Sequence, residues 1–267
     1  MNFKCACIIP CFNEEKQINY IFEEIKKLNY VNLDWYLLDN GSIDNTLKRM
    51  QELLITSETN NIYILSKKLN EGYGAGIKYA ISKIFPYIKI STIRKNSNLN
   101  NAAINKEYLK ENYYEFVAWT HADGQTPFED IGKALELAQN NYDEKIFIKG
   151  QKTIREDGKI SKFFEFALNC LLILFFNSSI KNPYSQPSLI SKKLFSIFIN
   201  KCSNDSLFDL DILIKSFRYK ATLKRFNVRF LKRESGKGSN ENIKQKVIFS
   251  LINLKLIWGY RSFLKFK

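Results

Sequence analysis

The chain has 267 residues, 45% hydrophobic and 25% charged, with five cysteines and a formal net charge of +14 at pH 7. These values fit a globular protein with a substantial core, and they exclude disordered, collagen-like and coiled-coil architectures. The cysteines show no paired spacing, which excludes a disulfide scaffold and indicates a reducing compartment.

Strand and helix signals alternate along the first 150 residues. Short apolar runs predict strands at 4–11, 35–38, 62–65, 116–120 and 145–149. Three helices are predicted. The first covers 18–28, the second follows the turn at 39–42 and continues to about residue 54, and the third runs from a glycine-rich turn at 71–76 through residue 84. Apolar strands that alternate with helices predict an α/β fold with a mostly parallel sheet buried on both faces. The first run is too short and too strand-like for a signal peptide.

Polar or glycine-rich loops follow the first four predicted strands. They occupy residues 10–14, 39–44, 70–76 and 121–125. One polar loop alone is weak evidence of a site, since surface loops are generally polar. Ligands of open parallel sheets bind beyond the carboxyl ends of the strands, so four such loops predict one binding site at a shared rim.

The second half has less regular patterns. Residues 86–114 are rich in Asn and Lys and predict an exposed loop with one short helix near 106–113. Residues 163–176 are apolar but too few to span a bilayer, which leaves a core helix or an interfacial helix. Residues 243–266 carry a narrow polar stripe and added basic residues, which leaves an amphipathic segment on a membrane surface or packing on the core.

The positive charge is concentrated near the C-terminal end. Residues 215–267 contain 15 Lys and Arg against 2 Asp and Glu, a balance of +13, whereas the first 214 residues carry +1. Such a region predicts a polyanionic partner, which is anionic lipid, nucleic acid or a phosphorylated substrate. Compositional bias is the alternative, but bias would spread the excess evenly along the chain.

The four loops resemble those of the family 2 glycosyltransferases with the GT-A fold, and most closely the dolichyl- and polyprenyl-phosphate sugar transferases. Residues 8–15 (IIPCFNEE), 38–46 (LDNGSIDNT), 70–76 (NEGYGAG) and 121–125 (HADGQ) are similar to the vPxyNE, DDGSxDxT, NxGxGxA and DADxQ motifs of that family. Asn40 and His121 stand where the family has acidic residues. Residues 149–152 and 233–239 match the later motifs of this family only loosely.

The resemblance implies a nucleotide-sugar donor, UDP- or GDP-linked. The residues expected to bind it are Pro10, Asn13, Glu14, Asp39, Asn70, Gly72, Gly74, Ala122 and Asp123. Asp39 is expected to accept a hydrogen bond from the nucleotide base, or else to cap the following turn. Asp44 is expected to cap the next helix. The glycines let the backbone approach a ligand, or they form a tight turn packed against a helix.

Residues 121–125 predict a metal site for Mg²⁺ or Mn²⁺. A diphosphate leaving group needs its charge neutralised, and a divalent cation does so without proton transfer. Side chains at 121, 123 and 125 of an extended segment point the same way, so the predicted ligands are His121, Asp123 and Gln125. His121, the only histidine, binds the metal with a preference for Mn²⁺, hydrogen-bonds ribose or phosphate, or marks weak metal dependence.

Two classes of acceptor remain open. A phosphate acceptor is already ionised and needs cations to hold it, for which the candidates are Lys152, Arg155, Lys159, Ser161, Arg233 and Lys237. A hydroxyl of a cell-surface glycan or a lipid-linked oligosaccharide needs a general base, for which the candidates are Asp209 and Asp211. Catalytic roles are therefore predicted for Asp123, Asp209 and Asp211.

The sequence as a whole predicts an inverting glycosyltransferase over residues 1–240, with a nucleotide-sugar half at 1–125 and an acceptor half at 126–240. Residues 241–267 are predicted to be a basic amphipathic segment. The preferred acceptor is polyprenyl phosphate, and we expect a cytoplasmic enzyme held peripherally at the anionic inner face of the cell membrane. A remote alternative is a non-catalytic basic binding protein, but no nucleic-acid motif is recognised and no nucleic-acid partner is expected.

Overall fold

The computed structural model describes residues 3–57, 59–85, 114–155, 158–176, 180–231 and 242–260. One seven-stranded sheet forms its centre. The strands are β1 (Cys5–Cys11), β2 (Leu33–Asn40), β3 (Ile62–Lys67), β4 (Phe116–Trp119), β5 (Ile146–Arg155), β6 (Ser188–Ser191) and β7 (Thr222–Phe230). The α-helices are α1 (Ile18–Lys27), α2 (Thr46–Thr56), α3 (Tyr73–Ile84), α4 (Glu129–Asn140), α5 (Lys159–Phe175), α6 (Lys192–Phe198), α7 (Phe208–Arg218) and α8 (Ile243–Gly259), and a 3₁₀ helix follows α6 at Ile199–Lys201.

The sheet is parallel except for one strand. The strand order is β3-β2-β1-β4-β6-β5-β7, and β6 runs antiparallel to both β4 and β5. The remaining neighbours, including β1 with β2 and β4, pair in parallel. The predicted α/β fold with a mostly parallel sheet is therefore confirmed, and β1 to β4 all end at the same edge of the sheet.

The sheet separates two hydrophobic cores because successive residues of a strand face opposite sides. Ala6 and Ile8 of β1 face the core that contains α3, α6 and α7, whereas Cys5 and Cys7 face the core beneath α1 and α4. Cys11 joins the second core. Cys5, Cys7 and Cys11 are thus buried packing residues, and burial raises the pKa of each thiol.

The predicted strands and helices of the first half are confirmed with small shifts of their ends. The fifth strand is longer than predicted, since β5 continues to Arg155. The elements α4, β6, α6, α7 and β7 were not predicted. The short helix expected near 106–113 lies outside the described residues.

Helices α5 and α8 lie against each other, and Lys246 Nζ donates a hydrogen bond to Ser161 Oγ at 3.0 Å between them. Both helices expose much of their apolar surface. We define the α5–α8 surface as the exposed side chains Ile160, Phe163, Phe166 and Leu174 of α5 and Val247, Leu251, Leu254 and Trp258 of α8. In the described part of the chain, no helix combines the length and apolar character needed to cross a bilayer.

Candidate active site

The carboxyl ends of β1 to β4 form one rim, and the four loops predicted to bind a ligand follow these strand ends. The first two loops are joined through Asn13. Its backbone N–H donates to Ser42 Oγ at 3.0 Å, and its Oδ1 accepts the N–H of Ile43 at 2.9 Å. Asn13 has a φ of +56°, a left-handed conformation that Asn tolerates better than most residues. The structure thus gives Asn13 a role in shaping the rim, and its contact with a donor stays a prediction.

Asp44 and Thr46 fix the start of α2 beside the first loop. Asp44 Oδ1 accepts the N–H of Thr46 at 3.0 Å, and Oδ2 accepts the N–H of Glu15 at 3.3 Å, so the capping role is confirmed. Burial raises the pKa of Asp44, but the hydrogen bonds from Thr46 and Glu15 outweigh it and the pKa is lowered overall. The N–H of Glu14 donates to Thr46 Oγ1 at 2.9 Å, so the two loops meet as one unit.

Asp39 is buried at the end of β2. Its Oδ1 accepts the N–H of Ser42 at 3.0 Å, and its Oδ2 accepts the hydroxyl of Ser66 at 3.3 Å. The structure therefore shows the turn-capping alternative. A carboxylate has about four acceptor positions, so the two hydrogen bonds leave capacity for a base N–H, and base recognition by Asp39 stays a prediction.

The contacts of Asn40 explain why an amide stands where the family has an acidic residue. Its side chain faces α3, where Nδ2 donates to Gly72 O at 3.2 Å, and a Cβ added at Gly76 would lie 2.7 Å from Asn40 Oδ1. A carboxylate could not donate that hydrogen bond. Asn70 supports the same loop, because its Oδ1 accepts the N–H of Gly72 at 2.8 Å. Asn40 and Asn70 therefore hold the glycine-rich loop in place.

The glycines of this loop make room for another segment of the chain. Gly72 has a φ of +110°, and a Cβ there would lie 2.4 Å from Asn204 O. A Cβ at Gly74 would lie 2.3 Å from Ser203 O. The loop at 203–205 thus fills the space that the missing side chains leave, which is the packing alternative for these glycines. Donor binding by Gly72 and Gly74 stays a prediction.

Residues 121–125 bend where an extended segment was predicted. Gly124 has a φ of +70°, in the left-handed region that favours glycine. Gln125 Nε2 donates to Leu231 O at 3.2 Å, at the end of β7. The prediction that residues 121, 123 and 125 point the same way from a straight segment is therefore wrong, because the bend directs Gln125 toward β7.

Asp123 is the one carboxylate among the three predicted metal ligands, and its metal binding stays a prediction. Its side chain is buried at the rim, and Oδ1 accepts the N–H of Gln125 at 3.1 Å. The ring of His121 packs 5.6 Å from the ring of Tyr73, the first residue of α3. Within the ranges that the structure describes, no three His, Cys, Asp or Glu side chains gather as a metal cluster. The carboxylate of Asp123 alone still supplies the hard oxygen donor that suits Mg²⁺ or Mn²⁺.

Asp209 is buried in an ion pair, and its role as a general base stays a prediction. Lys149 Nζ lies 3.5 Å from Asp209 Oδ1, and that oxygen also accepts the Trp119 Nε1 hydrogen bond at 2.9 Å. Gln186 Nε2 donates to Oδ2 at 3.0 Å. Burial lowers the pKa of Lys149 to about 8 despite the neighbouring carboxylate. Both oxygens of Asp209 are thus engaged with the protein.

Asp211, the second predicted base, is engaged in the same way. Its Oδ2 accepts the N–H and the hydroxyl of Ser203 at 2.7 and 3.0 Å. Its Oδ1 accepts hydrogen bonds from Lys215 Nζ, at 2.5 Å, and from the Tyr260 hydroxyl. A buried carboxylate with these partners links loop 203–205 to the end of α8, and a general-base role for Asp211 stays a prediction.

The acceptor candidates that the structure describes make other contacts. Lys152 Nζ lies over the ring of Phe230, 3.6 Å from its centroid, a cation–π arrangement. Ser161 accepts the hydrogen bond that joins α5 to α8. Outside the described part fall the side chains of Arg155 and Lys159 and the whole of Arg233 and Lys237.

Sequence reasoning missed a network of buried polar side chains around Lys149. Lys149 Nζ donates to Ser188 Oγ at 2.7 Å, Ser188 Oγ donates to Gln186 Oε1 at 3.1 Å, and Gln186 reaches Asp209. The one local signal was a lysine directly after the apolar run 146–148, which is typical of a surface position. The partners lie on β6, just before β6 and on α7, and they have no local signal.

Comparison with known proteins places this rim in context. Residues 6–86 match the family model for Glycosyl transferase family 2. Over 171 residues the chain is 30% identical to an uncharacterized protein of Methanocaldococcus jannaschii. The alignment covers 64% of this chain and 62% of that protein. The chain thus spans less than two thirds of the length of this curated relative.

Two solved structures share the fold. Glucosyl-3-phosphoglycerate synthase from Mycobacterium tuberculosis, in complex with Mn²⁺, UDP-glucose and phosphoglyceric acid, aligns with a TM-score of 0.64 and 14% identity over 96% of this chain and 80% of that one. The mannosyltransferase PcManGT from Pyrobaculum calidifontis, in complex with GDP-mannose and Mn²⁺, aligns with a TM-score of 0.58 and 13% identity over 98% of this chain and 70% of that one. The predicted GT-A fold is confirmed by these likenesses.

Proposed function

We propose that this chain is an inverting, metal-assisted glycosyltransferase that moves a sugar from a UDP- or GDP-linked donor to a polyprenyl phosphate at a membrane surface. The observation that carries the proposal is the rim formed by four loops at the ends of β1 to β4 in a GT-A sheet. The family match over 6–86 covers three of these loops. Two neighbours of the same fold hold a nucleotide-sugar together with Mn²⁺.

The donor side follows from the residues at this rim. Asp39, at the tip of β2, would accept a hydrogen bond from the nucleotide base, and the capped turn after it keeps the carboxylate in place. Asp123 would hold a divalent cation, with His121 nearby. When bound, such a cation neutralises the charge that develops on the departing nucleoside diphosphate. An acceptor oxygen would attack the anomeric carbon in line from the opposite side, and the bond from that carbon to the nucleoside diphosphate would break as the configuration inverts.

The engaged state of Asp209 and Asp211 supports a phosphate acceptor. A hydroxyl acceptor needs a base that can take its proton, whereas a phosphate monoester, with a second pKa near ~6, is largely ionised at neutral pH. Each carboxylate is buried and holds protein donors at both oxygens. An acceptor that needs no base therefore suits this arrangement better.

The α5–α8 surface and the basic C-terminal region support the membrane part. Phe163 and Phe166 are 66% and 68% exposed, and Leu251 and Trp258 are 59% and 57% exposed. Water-exposed apolar side chains on two adjacent helices suit insertion at the level of lipid headgroups. The balance of +13 over residues 215–267 would add attraction to anionic lipid.

A binding experiment tests the donor part. UDP-glucose and GDP-mannose are each added with and without Mn²⁺, and binding to the native state raises the melting temperature. We expect one donor to raise it in a Mn²⁺-dependent manner and Asp123→Ala to abolish that dependence. Glu23→Ala, on the exposed surface of α1, serves as the matched control and keeps the wild-type response. No shift with either donor, nor with other nucleotide-sugars, would leave the non-catalytic alternative.

A transfer assay tests the acceptor part. Labelled donor is offered with polyprenyl phosphate, with the same polyprenol lacking phosphate, and with a lipid-linked oligosaccharide. We expect label on polyprenyl phosphate alone. Label on the oligosaccharide, lost in Asp209→Asn or Asp211→Asn while donor binding persists, would instead establish transfer to a hydroxyl.

A further inference from the structure

We infer that Asp211 and Tyr260 form a positioning pair that connects the end of α8 to the glycine-rich loop and thereby sets the affinity of the rim for its donor. The inference rests on the proposed function for what the rim binds. It assigns Asp211 a role different from the general base that the sequence predicted.

The connection begins where α8 ends. The Tyr260 hydroxyl donates to Asp211 Oδ1, and Lys215 Nζ donates both to that oxygen, at 2.5 Å, and to the Tyr260 hydroxyl, at 2.7 Å. Each of the three groups is thus hydrogen-bonded to the other two, and the side chain of Asp211 is buried while that of Lys215 is nearly buried. Hydrogen bonds to a charged group are roughly twice as strong as neutral ones, more so where water is excluded. The end of α8 is therefore firmly held.

The second step runs through the other carboxylate oxygen. Asp211 Oδ2 accepts both the backbone N–H and the hydroxyl of Ser203, at 2.7 and 3.0 Å. One side chain thus binds the end of α8 with one oxygen and the start of loop 203–205 with the other. A shift of the carboxylate changes both contacts together.

The third step joins loop 203–205 to the start of α3. The N–H of Ala75 donates to Asn204 O at 2.8 Å, and the N–H of Gly74 donates to Asp205 O at 3.3 Å. First-turn N–H groups have no partner inside their own helix, so loop 203–205 supplies it. A Cβ at Gly72 would lie 2.4 Å from Asn204 O, which shows how closely the two segments are packed.

The start of α3 also bears directly on the rim. Tyr73, between Gly72 and Gly74, packs its ring 5.6 Å from that of His121. Loosening loop 203–205 therefore frees Gly74 and Ala75, and it changes the position of Tyr73 against His121. Because the donor would bind beside these residues, its affinity falls when the positioning pair is broken.

The test uses the full chain with Tyr260→Phe and Asp211→Asn. Donor affinity is measured calorimetrically with Mn²⁺ and the nucleotide-sugar that stabilises the wild type. Hydrogen exchange at the amides of Gly74 and Ala75 is measured without any ligand. We expect Tyr260→Phe to weaken donor binding about three- to tenfold, the range typical of coupled neighbours, and to speed exchange at both amides.

Tyr142→Phe is the matched control. It also removes a tyrosine hydroxyl that donates to a carboxylate, Glu115 Oε1 at 3.0 Å, but at the start of β4, away from the rim. Both readouts should stay at wild-type values in this control. If Asp211→Asn does not fold, Tyr260→Phe decides the question, since it keeps the carboxylate and Lys215.

Three outcomes separate the inferences. Faster exchange together with weaker donor binding supports the positioning pair. Wild-type exchange at Gly74 and Ala75 in Tyr260→Phe overturns it, whatever the donor does. If the wild type binds no nucleotide-sugar, the proposed function fails, and the exchange measurement alone still decides whether Tyr260 positions the glycine-rich loop.

Discussion

The ammonium group of Lys149 and the carboxylate of Asp209 form an ion pair in which each side chain is 2% exposed. Removing one partner of such a pair leaves the other charge buried without compensation, which costs more than the pair itself contributes. The pair lies beside the rim and links β5 to α7, so its first consequence concerns stability.

We predict that Asp209→Asn lowers the free energy of unfolding by about 3–5 kcal/mol, measured by urea denaturation. Asp130→Asn is the control, because its partner Lys133 is half exposed, and a loss of about 1 kcal/mol or less is expected there. A stable Asp209→Asn protein that has lost its turnover would show instead that Asp209 acts in catalysis.

Replacing Gly72 should disturb the rim through its backbone. Gly72→Ala places a side chain at a φ of +110° and against Asn204 O, and we predict a loss of about 1–3 kcal/mol in the free energy of unfolding. Gly259→Ala is the control, since no atom lies within 4 Å of its added Cβ, and it should be neutral or stabilise α8 by up to about 1 kcal/mol. Equal effects of both substitutions on thermal unfolding would show that loops 70–76 and 203–205 are not tightly packed.

The buried thiols predict a loss of stability at high pH. Burial raises the pKa of Cys202 to about 12 and that of Cys7 well above the ordinary value of 9.0. Above pH 9 the unfolded chain releases these protons while the folded chain keeps them, so the free energy of unfolding falls as pH rises, by up to about 1.4 kcal/mol per pH unit for each such thiol. Urea midpoints from pH 8 to 10 measure the slope.

Two cysteine variants separate this effect from other alkaline titrations. Cys7→Ala should reduce the slope, whereas Cys170→Ala, which removes an exposed thiol, should leave it unchanged. In the native wild type we expect one thiol to react rapidly with a labelling reagent and four to react only on unfolding. Rapid labelling of Cys7 would contradict the packing of β1.

The α5–α8 surface predicts a defined membrane contact. We expect the wild type to sediment with anionic liposomes at low salt and to dissociate as salt rises. Phe166→Asp should weaken this binding about tenfold or more, because burying a phenylalanine side chain contributes about 1.5–3 kcal/mol. Val31→Asp is the control, because Val31 is an apolar residue that is 82% exposed and does not belong to α5 or α8. A wild type that stays in the supernatant would end the membrane proposal.

The first half of the fold was predictable because its signals are local. Apolar runs mark β1 to β4, and polar loops mark their carboxyl ends, so the shared rim follows from the rules for parallel sheets. The bend at Gly124 was not predictable in the same way. Its direction depends on the contact between Gln125 and Leu231, which are far apart in the sequence.

The roles of Asp209 and Asp211 were beyond sequence reasoning for a similar reason. Two acids near the start of a helix are as consistent with catalysis as with structure. Their burial and their distant partners, such as Lys149 for one acid and Tyr260 for the other, have no local signal in the sequence. Strand β6 has four residues and no pattern of its own, and it lies between β4 and β5 and pairs with both.

The position of β6 between β4 and β5 has a consequence for biosynthesis. Trp119 at the end of β4 pairs with Ser188 of β6, which the ribosome makes much later than β4 itself. Until then one border of β4 carries unpaired backbone groups that can recruit a strand from another nascent polypeptide. Translation products that stop short of β6 should therefore be prone to aggregate, and the nucleotide-sugar half is poorly suited to production as a separate fragment.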